Sequence, residues 1–164
     1  MRVHIATDHA SLDLSWYLLE HLVAAGYDVT YHGPDGYDPF DDYPAFCISA
    51  ARAVQAEQEA GHDSRGIVLG GSGNGEQIAA NKVAGIRAAL AWNLDTARLA
   101  RQHNDAQIVA VGGRQHSQEE VLEIVQTFLN EPFSGEERHA RRIRQMSEYE
   151  TTGNVTGELK DVRP

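Results

Sequence analysis

The stretch GIVLGGSGNGEQIAANKVA, residues 66–84, limits what this chain can fold into more than any other part of it. Three apolar residues, Ile67, Val68 and Leu69, run into a segment with glycine at 70, 71, 73 and 75, and a helical pattern follows. That order is strand, tight loop, helix. Without Cβ atoms, Gly70, Gly71, Gly73 and Gly75 let a ligand approach the backbone closely. The loop N–H groups, with the free ones of the helix's first turn, suit an anion or a developing oxyanion. Glu76 is the unusual residue, a carboxylate standing where negative charge on a ligand is expected.

Three familiar loop patterns each fail here by one residue type. A nucleotide-binding P-loop needs lysine after its last glycine, but Gly70-x4-Gly75 is followed by Glu76, which would repel a triphosphate. The dinucleotide pattern G-x-G-x-x-G, started at Gly71 or Gly73, places Glu76 or Ile78 at its last glycine. The nucleophile elbow G-x-S-x-G, centred on Ser72, meets Asn74 in place of its final glycine, which disfavours a serine hydrolase. Taken alone, the loop also reads as a glycine-rich helix start with Glu76 as a first-turn stabiliser.

The rest of the chain alternates in the same sense. Residues 3–7 read as a strand and 12–25 as a helix with Leu14, Leu18, Leu19 and Leu22 on one face, stopped by Gly26. Residues 27–31 read as a second strand and 33–44 as a long loop rich in Gly, Pro and Asp. A helix over about 44–59 precedes the glycine-loop stretch. After it come a strand at 87–92, a helix at 94–103, a strand at 106–111, a helix at 119–129 and a final helix at about 136–150. This pattern implies one α/β domain, residues 1–150, with a parallel sheet covered on both faces. Residues 151–164 are polar and irregular and are expected to form a loose tail.

Composition narrows the function. A formal net charge of −10 argues against a general nucleic-acid binder, although a local basic cluster can override the global sign for an anionic substrate. The single cysteine, Cys47, excludes an internal disulfide. The first residues, MRVHIATDHA, lack the apolar core of a signal peptide, and no apolar run reaches membrane-spanning length. A cytoplasmic protein without a membrane partner is the expectation. The eight histidines are scattered without zinc-ligand spacing, which argues against a metal site.

In parallel α/β sheets ligands gather beyond the carboxyl ends of the strands. The polar residues there are Asp8 and His9 after the first strand, Ser72, Asn74 and Glu76 after the third, and Arg114 after the fifth, behind Gly112 and Gly113. If strands one and three are neighbours, these converge on one crevice. Several candidates have a purely structural alternative. Asp8 suits a helix N-cap. His103 and Asn104 suit a helix end. Tyr43 suits a core aromatic at a helix start. Arg138 and Arg142, four apart on one face of the last helix, suit a solvated face.

Seven blocks together resemble a known family: Asp8-His9-Ala10, Asp42-Tyr43-Pro44, GGSGNGEQIAANK over 70–82, Arg87-Ala88-Ala89, His103-Asn104, Gly112-Gly113-Arg114, and Arg138-His139 with Arg141-Arg142. The chain resembles the ribose-5-phosphate isomerase B family, which also contains the galactose-6-phosphate isomerase subunits. The resemblance covers residues 8 to 142. It implies a three-layer α/β/α sandwich, Rossmann-like, around a five-stranded parallel sheet. It implies homodimers, some pairing into tetramers, with active sites shared between subunits and no metal or organic cofactor. The implied reaction interconverts an aldose phosphate and a ketose phosphate, ribose 5-phosphate and ribulose 5-phosphate in the first place, through an enediol(ate).

By the same resemblance Glu76 is the base that moves a proton between C2 and C1. One branch of the family has a cysteine base at the position of Ser72; the other has serine there and glutamate at the position of Glu76, and this chain goes with the second. Ser72 then serves as a hydrogen-bond donor. A helix N-terminus keeps Glu76 ionised and lowers its basicity, whereas burial raises its pKa, and both effects are expected. The N–H groups of Gly71, Ser72, Gly73, Asn74 and Gly75 would form the oxyanion site. The resemblance gives Asp8 the sugar hydroxyls, His9 the ring or phosphate, Tyr43 the sugar pocket, His103 the protonation of the ring oxygen, and Asn104 a hydroxyl or the enediolate. Arg138 and Arg142 would reach the phosphate from the partner subunit, with Arg114 contributing, because a guanidinium donates in a planar fork.

One departure bears on substrate. After Asp8-His9-Ala10 the family usually continues with glycine, an aromatic residue and, slightly later, lysine; this chain has Ser11, Leu12 and Ser15. The change lies beside the expected pocket. It leaves open a sibling isomerase for a tetrose, another pentose or a hexose phosphate, and a non-catalytic sugar-phosphate sensor.

Overall fold

The computed structural model describes residues 1–157. Strand β1 (Arg2–Thr7) leads through a 3-10 turn (His9–Ser11) into α1 (Leu12–Ala24) and β2 (Asp28–Tyr31). Then follow α2 (Tyr43–Glu59), β3 (Ser64–Gly70), α3 (Asn74–Ala80), β4 (Ala88–Leu90), α4 (Leu94–Asn104), β5 (Ile108–Gly112), α5 (Gln118–Asn130) and α6 (Glu137–Thr152). All pairings are parallel, in the order β2-β1-β3-β5-β4. Strands β1 and β3 are neighbours, as the convergence of Asp8 with the glycine loop requires. Thr7 lies opposite Leu69, and Gly70 opposite Gly112, so three strands end level with one another.

Period-two alternation along buried strands divides the core into two layers. Val3, Ile5, Ile67, Leu69, Val109 and Val111 point to one face, where they meet Leu14, Leu18 and Leu22 of α1, Ala97 and Ala100 of α4, and Val121, Val125 and Phe128 of α5. Ala6, Val68, Ile108 and Ala110 point to the other, against Cys47, Ala50, Ala51 and Val54 of α2 and Ala79 and Ala80 of α3. The result is the three-layer α/β/α sandwich with a five-stranded parallel sheet. Cys47 is buried, and desolvation pushes its thiol up to about 12, so it is held as an unreactive core residue.

Local side-chain chemistry explains where the elements depart from expectation. Helix α3 stops at Ala80 although the helical pattern runs on toward residue 84. Asn81 ends it: its amide donates to the carbonyls of Gln77 (3.0 Å) and Ala88 (2.9 Å) and accepts from the Ala88 N–H (2.9 Å). The same residue thus closes a helix and satisfies the edge of β4. That strand covers three residues where six were expected. Beyond it the N–H groups of Trp92 and Asn93 turn to the Thr96 hydroxyl in a capping box that starts α4. The final helix continues to Thr152, two residues into the expected tail, and Gly153 ends it at φ +72°. Residues 158–164 of that tail lie outside the described residues.

Phe128 is the largest fully buried side chain, with the Arg101 guanidinium 5.8 Å from its ring centre. Phe128→Ala is expected to lower the unfolding free energy by about 3–5 kcal/mol, measured by urea denaturation at fixed protein concentration. A loss under about 1 kcal/mol would mean that the α5 layer is not the packed core it looks to be.

Candidate active site

A crevice of about 600 Å³ opens beyond the carboxyl ends of the central strands, lined by Asp8, His9, Ala10, Tyr43, Gly71, Ser72, Gly75, Glu76, Arg114 and Gln115. Each arrives by a different route. Asp8 and His9 follow β1, Tyr43 opens α2, the 71–76 residues bridge β3 and α3, and Arg114 and Gln115 follow β5. The Gly113 N–H donates to the Gly70 carbonyl (2.8 Å) and that of Arg114 to the Gly71 carbonyl (3.2 Å), which ties the two strand exits together.

Glu76 is 5% exposed and is the third residue of α3. Burial raises its pKa above the ordinary glutamate value; its own backbone N–H, donating to the carboxylate, pulls it down, and the charge of Asp8 adds to the rise. Both expected effects operate, and burial wins. The glycines serve this placement in a way the sequence does not reveal. A Cβ at Gly70 would overlap the Glu76 carboxylate, so the bare α-carbon makes room for the acid rather than for a ligand. Gly75 gives the same room to the Tyr43 phenol. Gly73 turns at φ +80°, and a Cβ there would lie 2.7 Å from Leu90 Cδ1 and 2.9 Å from the Val111 carbonyl carbon. Among the described residues, no acceptor within the chain meets the N–H groups of Gly71, Ser72 or Gly73. The Asn74 N–H and side-chain amide both lie 3.3 Å from Ser72 Oγ.

Asp8 does what its structural alternative requires, accepting from the Ala10 N–H at 2.9 Å to cap the 3-10 turn, and it also lines the crevice. His9 is held by Asp41, a residue of the long loop that sequence reasoning passed over. Asp41 Oδ1 accepts from the His9 backbone N–H (3.0 Å) and faces His9 Nδ1 (2.6 Å). That bond, followed by the charges of Asp8 and Asp41, raises the His9 pKa, while partial desolvation and Arg114 oppose it. Asp42, by contrast, is exposed and makes no side-chain cap bond to α2. The one hint of the partner was the paired acid Asp41-Asp42 ahead of Tyr43. Asp8, His9 and Asp41 also present ligand atoms within 4.8 Å of one another, a grouping absent from the linear spacing. At 2.6 Å the Nδ1–Oδ1 pair is a hydrogen bond, too close for an ion between the two atoms. Gln115 is a second lining residue without a sequence signal.

The remaining candidates are not brought to this crevice by their own chain. Asn74 faces an adjoining cleft with Ser72, Leu90, Trp92 and Gln115. His103 stacks on His139 of α6, ring centres 4.1 Å apart and planes within 12°. Asn104, the last residue of α4, lines a separate apolar cleft with Leu90, Trp92 and Met146. Arg138 is exposed and pairs with Glu136 at 2.7 Å, and Arg142 is exposed on the same helix. His139 is 4% exposed; burial lowers its pKa, and the nearby charges of His103 and Arg138 lower it further.

Fold and crevice together define an α/β protein with an open crevice at the carboxyl edge of a parallel sheet, around a buried carboxylate. The chain belongs to the Ribose/Galactose Isomerase family, whose model matches residues 3–146. It is 52% identical over 152 residues to ribose-5-phosphate isomerase B of Mycolicibacterium paratuberculosis, covering 93% of each chain. The identity is also 52% to the protein of that name from Mycobacterium tuberculosis H37Rv, over 93% of this chain and 91% of the relative. Among solved structures it superposes on ribose-5-phosphate isomerase B of Clostridium thermocellum with a TM-score of 0.86 at 39% identity, covering 94% of this chain and 100% of that one. The Mycoplasma genitalium ribose-5-phosphate isomerase B with bound ribulose-5-phosphate gives 0.85 at 37% identity, over 92% and 97% of the two chains.

The Gly70 contact yields a test independent of any assay. Gly70→Ala is expected to fold and to swing the Glu76 carboxylate out of its slot, the flexible side chain yielding before the strand does. A crystal structure of the variant with the carboxylate still in place would contradict this packing account.

Proposed function

We propose that this protein is an aldose–ketose isomerase that interconverts ribose 5-phosphate and ribulose 5-phosphate. The observation that carries the reading is Glu76, a buried carboxylate of raised pKa beside a loop in which the N–H groups of Gly71, Ser72 and Gly73 meet no acceptor among the described residues. Glu76 takes the C2 proton of the open-chain aldose. The electron pair moves into the C1–C2 bond and charge collects on O1, where the loop donors and the Ser72 hydroxyl stabilise it. The O2 hydroxyl proton passes to O1, Glu76 returns its proton to C1, and the carbonyl of the ketose forms at C2. A base of raised pKa suits both halves of this transfer, since it must remove a proton and give it back. Asp8 and Tyr43 line the same crevice and would hold the sugar hydroxyls. The chain is thus read as a single sugar-phosphate isomerase domain.

Charge supports a second copy of the chain as part of the site. The crevice holds two carboxylates, Asp8 and Glu76, against Arg114 and His9, a thin cationic complement for a phosphate dianion. Arg138 and Arg142 stand exposed on α6, and His103 and Asn104 end α4, all away from the crevice of their own chain. The surface also carries exposed Ile78, Trp92, Leu99 and Met146, with Trp92 and Met146 sharing a cleft with Asn104, apolar area of the kind a subunit interface covers. In a homodimer, or a tetramer of two such pairs, His103 would protonate the ring oxygen, Asn104 would hold a hydroxyl, and both arginines would clamp the phosphate across the boundary. The charge of a phosphorylated sugar keeps it inside cells, which fits a cytoplasmic site of action. Among the described residues no helix is long and apolar enough to cross a membrane.

The pentose reading is favoured over a larger or smaller sugar by where the departing residues point. Ser11 Oγ donates to the Gly70 carbonyl (3.0 Å), and Ser15 Oγ to the Leu12 carbonyl (2.6 Å). Both hydroxyls are spent on packing, and Ser11 and Leu12 line an adjoining cleft beyond His9 and Ala10 rather than the crevice around Glu76.

Glu76→Gln is expected to lower kcat by about 10²–10⁴-fold while KM changes little; turnover close to wild type would reject Glu76 as the base. Because burial raises the Glu76 pKa, the acidic limb of the pH–rate profile should lie above the ordinary glutamate value of about 4.3, and a limb at or below it would contradict the assignment. Mixing inactive Glu76→Gln and Arg142→Ala chains should restore activity through hybrid dimers with one intact site. No recovery after verified subunit exchange would place both residues in one subunit's site. Across a panel of tetrose, pentose and hexose phosphates, kcat/KM should be highest for ribose 5-phosphate.

A further inference from the structure

Asp41 lies in the loop between β2 and α2, far from the glycine stretch in sequence, and touches the crevice only through His9. Both of its bonds to His9 use one oxygen, Oδ1: the backbone N–H at 3.0 Å and ring Nδ1 at 2.6 Å. The other oxygen, Oδ2, is buried without a partner, and the side chain is 10% exposed. No lysine or arginine pairs with this carboxylate among the described residues, so His9 is its sole charged contact. Tyr37 of the same loop meets the imidazole edge-on at 5.9 Å and 84°. The ring is therefore held from two sides by one loop. With Nδ1 committed, Nε2 is the only ring atom left for a ligand in the crevice that His9 lines.

We propose that Asp41 is a positioning residue that fixes His9 as a charged Nε2–H donor to the anionic group of the substrate. The inference rests on the sugar-phosphate reading of the crevice for the identity of that anion, and on the Asp41–His9 geometry alone for the rest. Below the pKa of the held imidazole both nitrogens carry protons: Nδ1–H goes to Asp41, and Nε2–H, with its positive charge, goes to the ligand. As pH rises past that value the Nε2 proton and the charge are lost together. The groups facing the ring are Asp41 and Asp8, which hold the proton on, and Arg114, which favours its loss; the two carboxylates prevail, and the cationic donor survives to higher pH than in a free histidine.

The test compares the full-length protein with Asp41→Asn, whose amide oxygen can still accept from the backbone N–H and Nδ1–H but carries no charge. In the ligand-free protein, NMR titration of the His9 ring should show a lower pKa in Asp41→Asn than in wild type. At pH 8 the KM for ribose 5-phosphate should rise about three- to tenfold, with kcat at saturation falling far less. Near pH 6 the ratio of the two KM values should shrink toward one. Asp41→Glu should recover part of the loss, which a merely structural loop contact would not predict. An unchanged His9 titration overturns the proposal outright. A shifted titration with no pH-dependent KM effect overturns the ligand-donor role. If neither protein turns over the sugar, the affinity of inorganic phosphate measured at pH 6 and pH 8 replaces KM: a selective loss at pH 8 in Asp41→Asn upholds the inference while the isomerase reading fails, and equal affinities at both pH values reject it.

Discussion

A carboxylate kept out of water is the constraint on which the rest of this structure depends. Glu76 sits at the start of a two-turn helix, where backbone N–H groups favour its ionised form, and in a slot where burial favours its neutral form. The second influence prevails. The slot exists because Gly70 ends β3 without a side chain, because Gly75 lets the Tyr43 ring close over the loop, and because Gly73 turns the backbone at φ +80° against Leu90 and Val111. Parallel strands β1, β3 and β5 end level with one another, and that common edge brings Asp8, Glu76 and Arg114 to one opening. The fold thus supplies position, and the glycines supply the volume in which the proposed proton-transfer group is both buried and at the crevice.

On the proposed reading, the crevice of one chain is an incomplete anion site. Its two acids serve proton transfer and hydroxyl contacts there, so positive charge has to come from elsewhere. His9, braced by Asp41, is one source, and Arg114 is another. The exposed arginines of α6 and the stacked His103–His139 pair are not among the residues that line it. A second copy of the chain bringing those groups to the opening would reconcile a net charge of −10 with a phosphorylated substrate. His139, buried with Nε2 unpartnered and with a lowered pKa, would then back the ring that faces the substrate.

Much of this was legible in the sequence, for identifiable reasons. Alternation of apolar strands with helical stretches leaves few topologies open, and the parallel five-stranded sandwich followed from it and from the family resemblance. Element ends were less legible, because single side chains decide them: Asn81 closes α3 and satisfies β4, and the Asn93–Thr96 box takes residues that the apolar pattern would have left in a strand. The crevice residues adjacent to strand ends were readable from position. Asp41 was not, since its meaning lies in a contact across 32 positions to His9, and one acid in an acidic loop looks like any other. Gly70 was read as access for a ligand and proved to be space for Glu76, a distinction that only three-dimensional packing makes.

The central claim is that Glu76 carries a proton between two carbons of a bound sugar phosphate. It is tested most directly by running the conversion in deuterium oxide and following the sugar by NMR. The account predicts that the wild-type protein places deuterium at C1 of ribulose 5-phosphate, and at C2 of ribose 5-phosphate in the reverse direction, in those turnovers where Glu76 exchanges its proton with solvent before returning it, and that both conversion and label are lost with Glu76→Gln. Conversion or label incorporation undiminished in Glu76→Gln would contradict it.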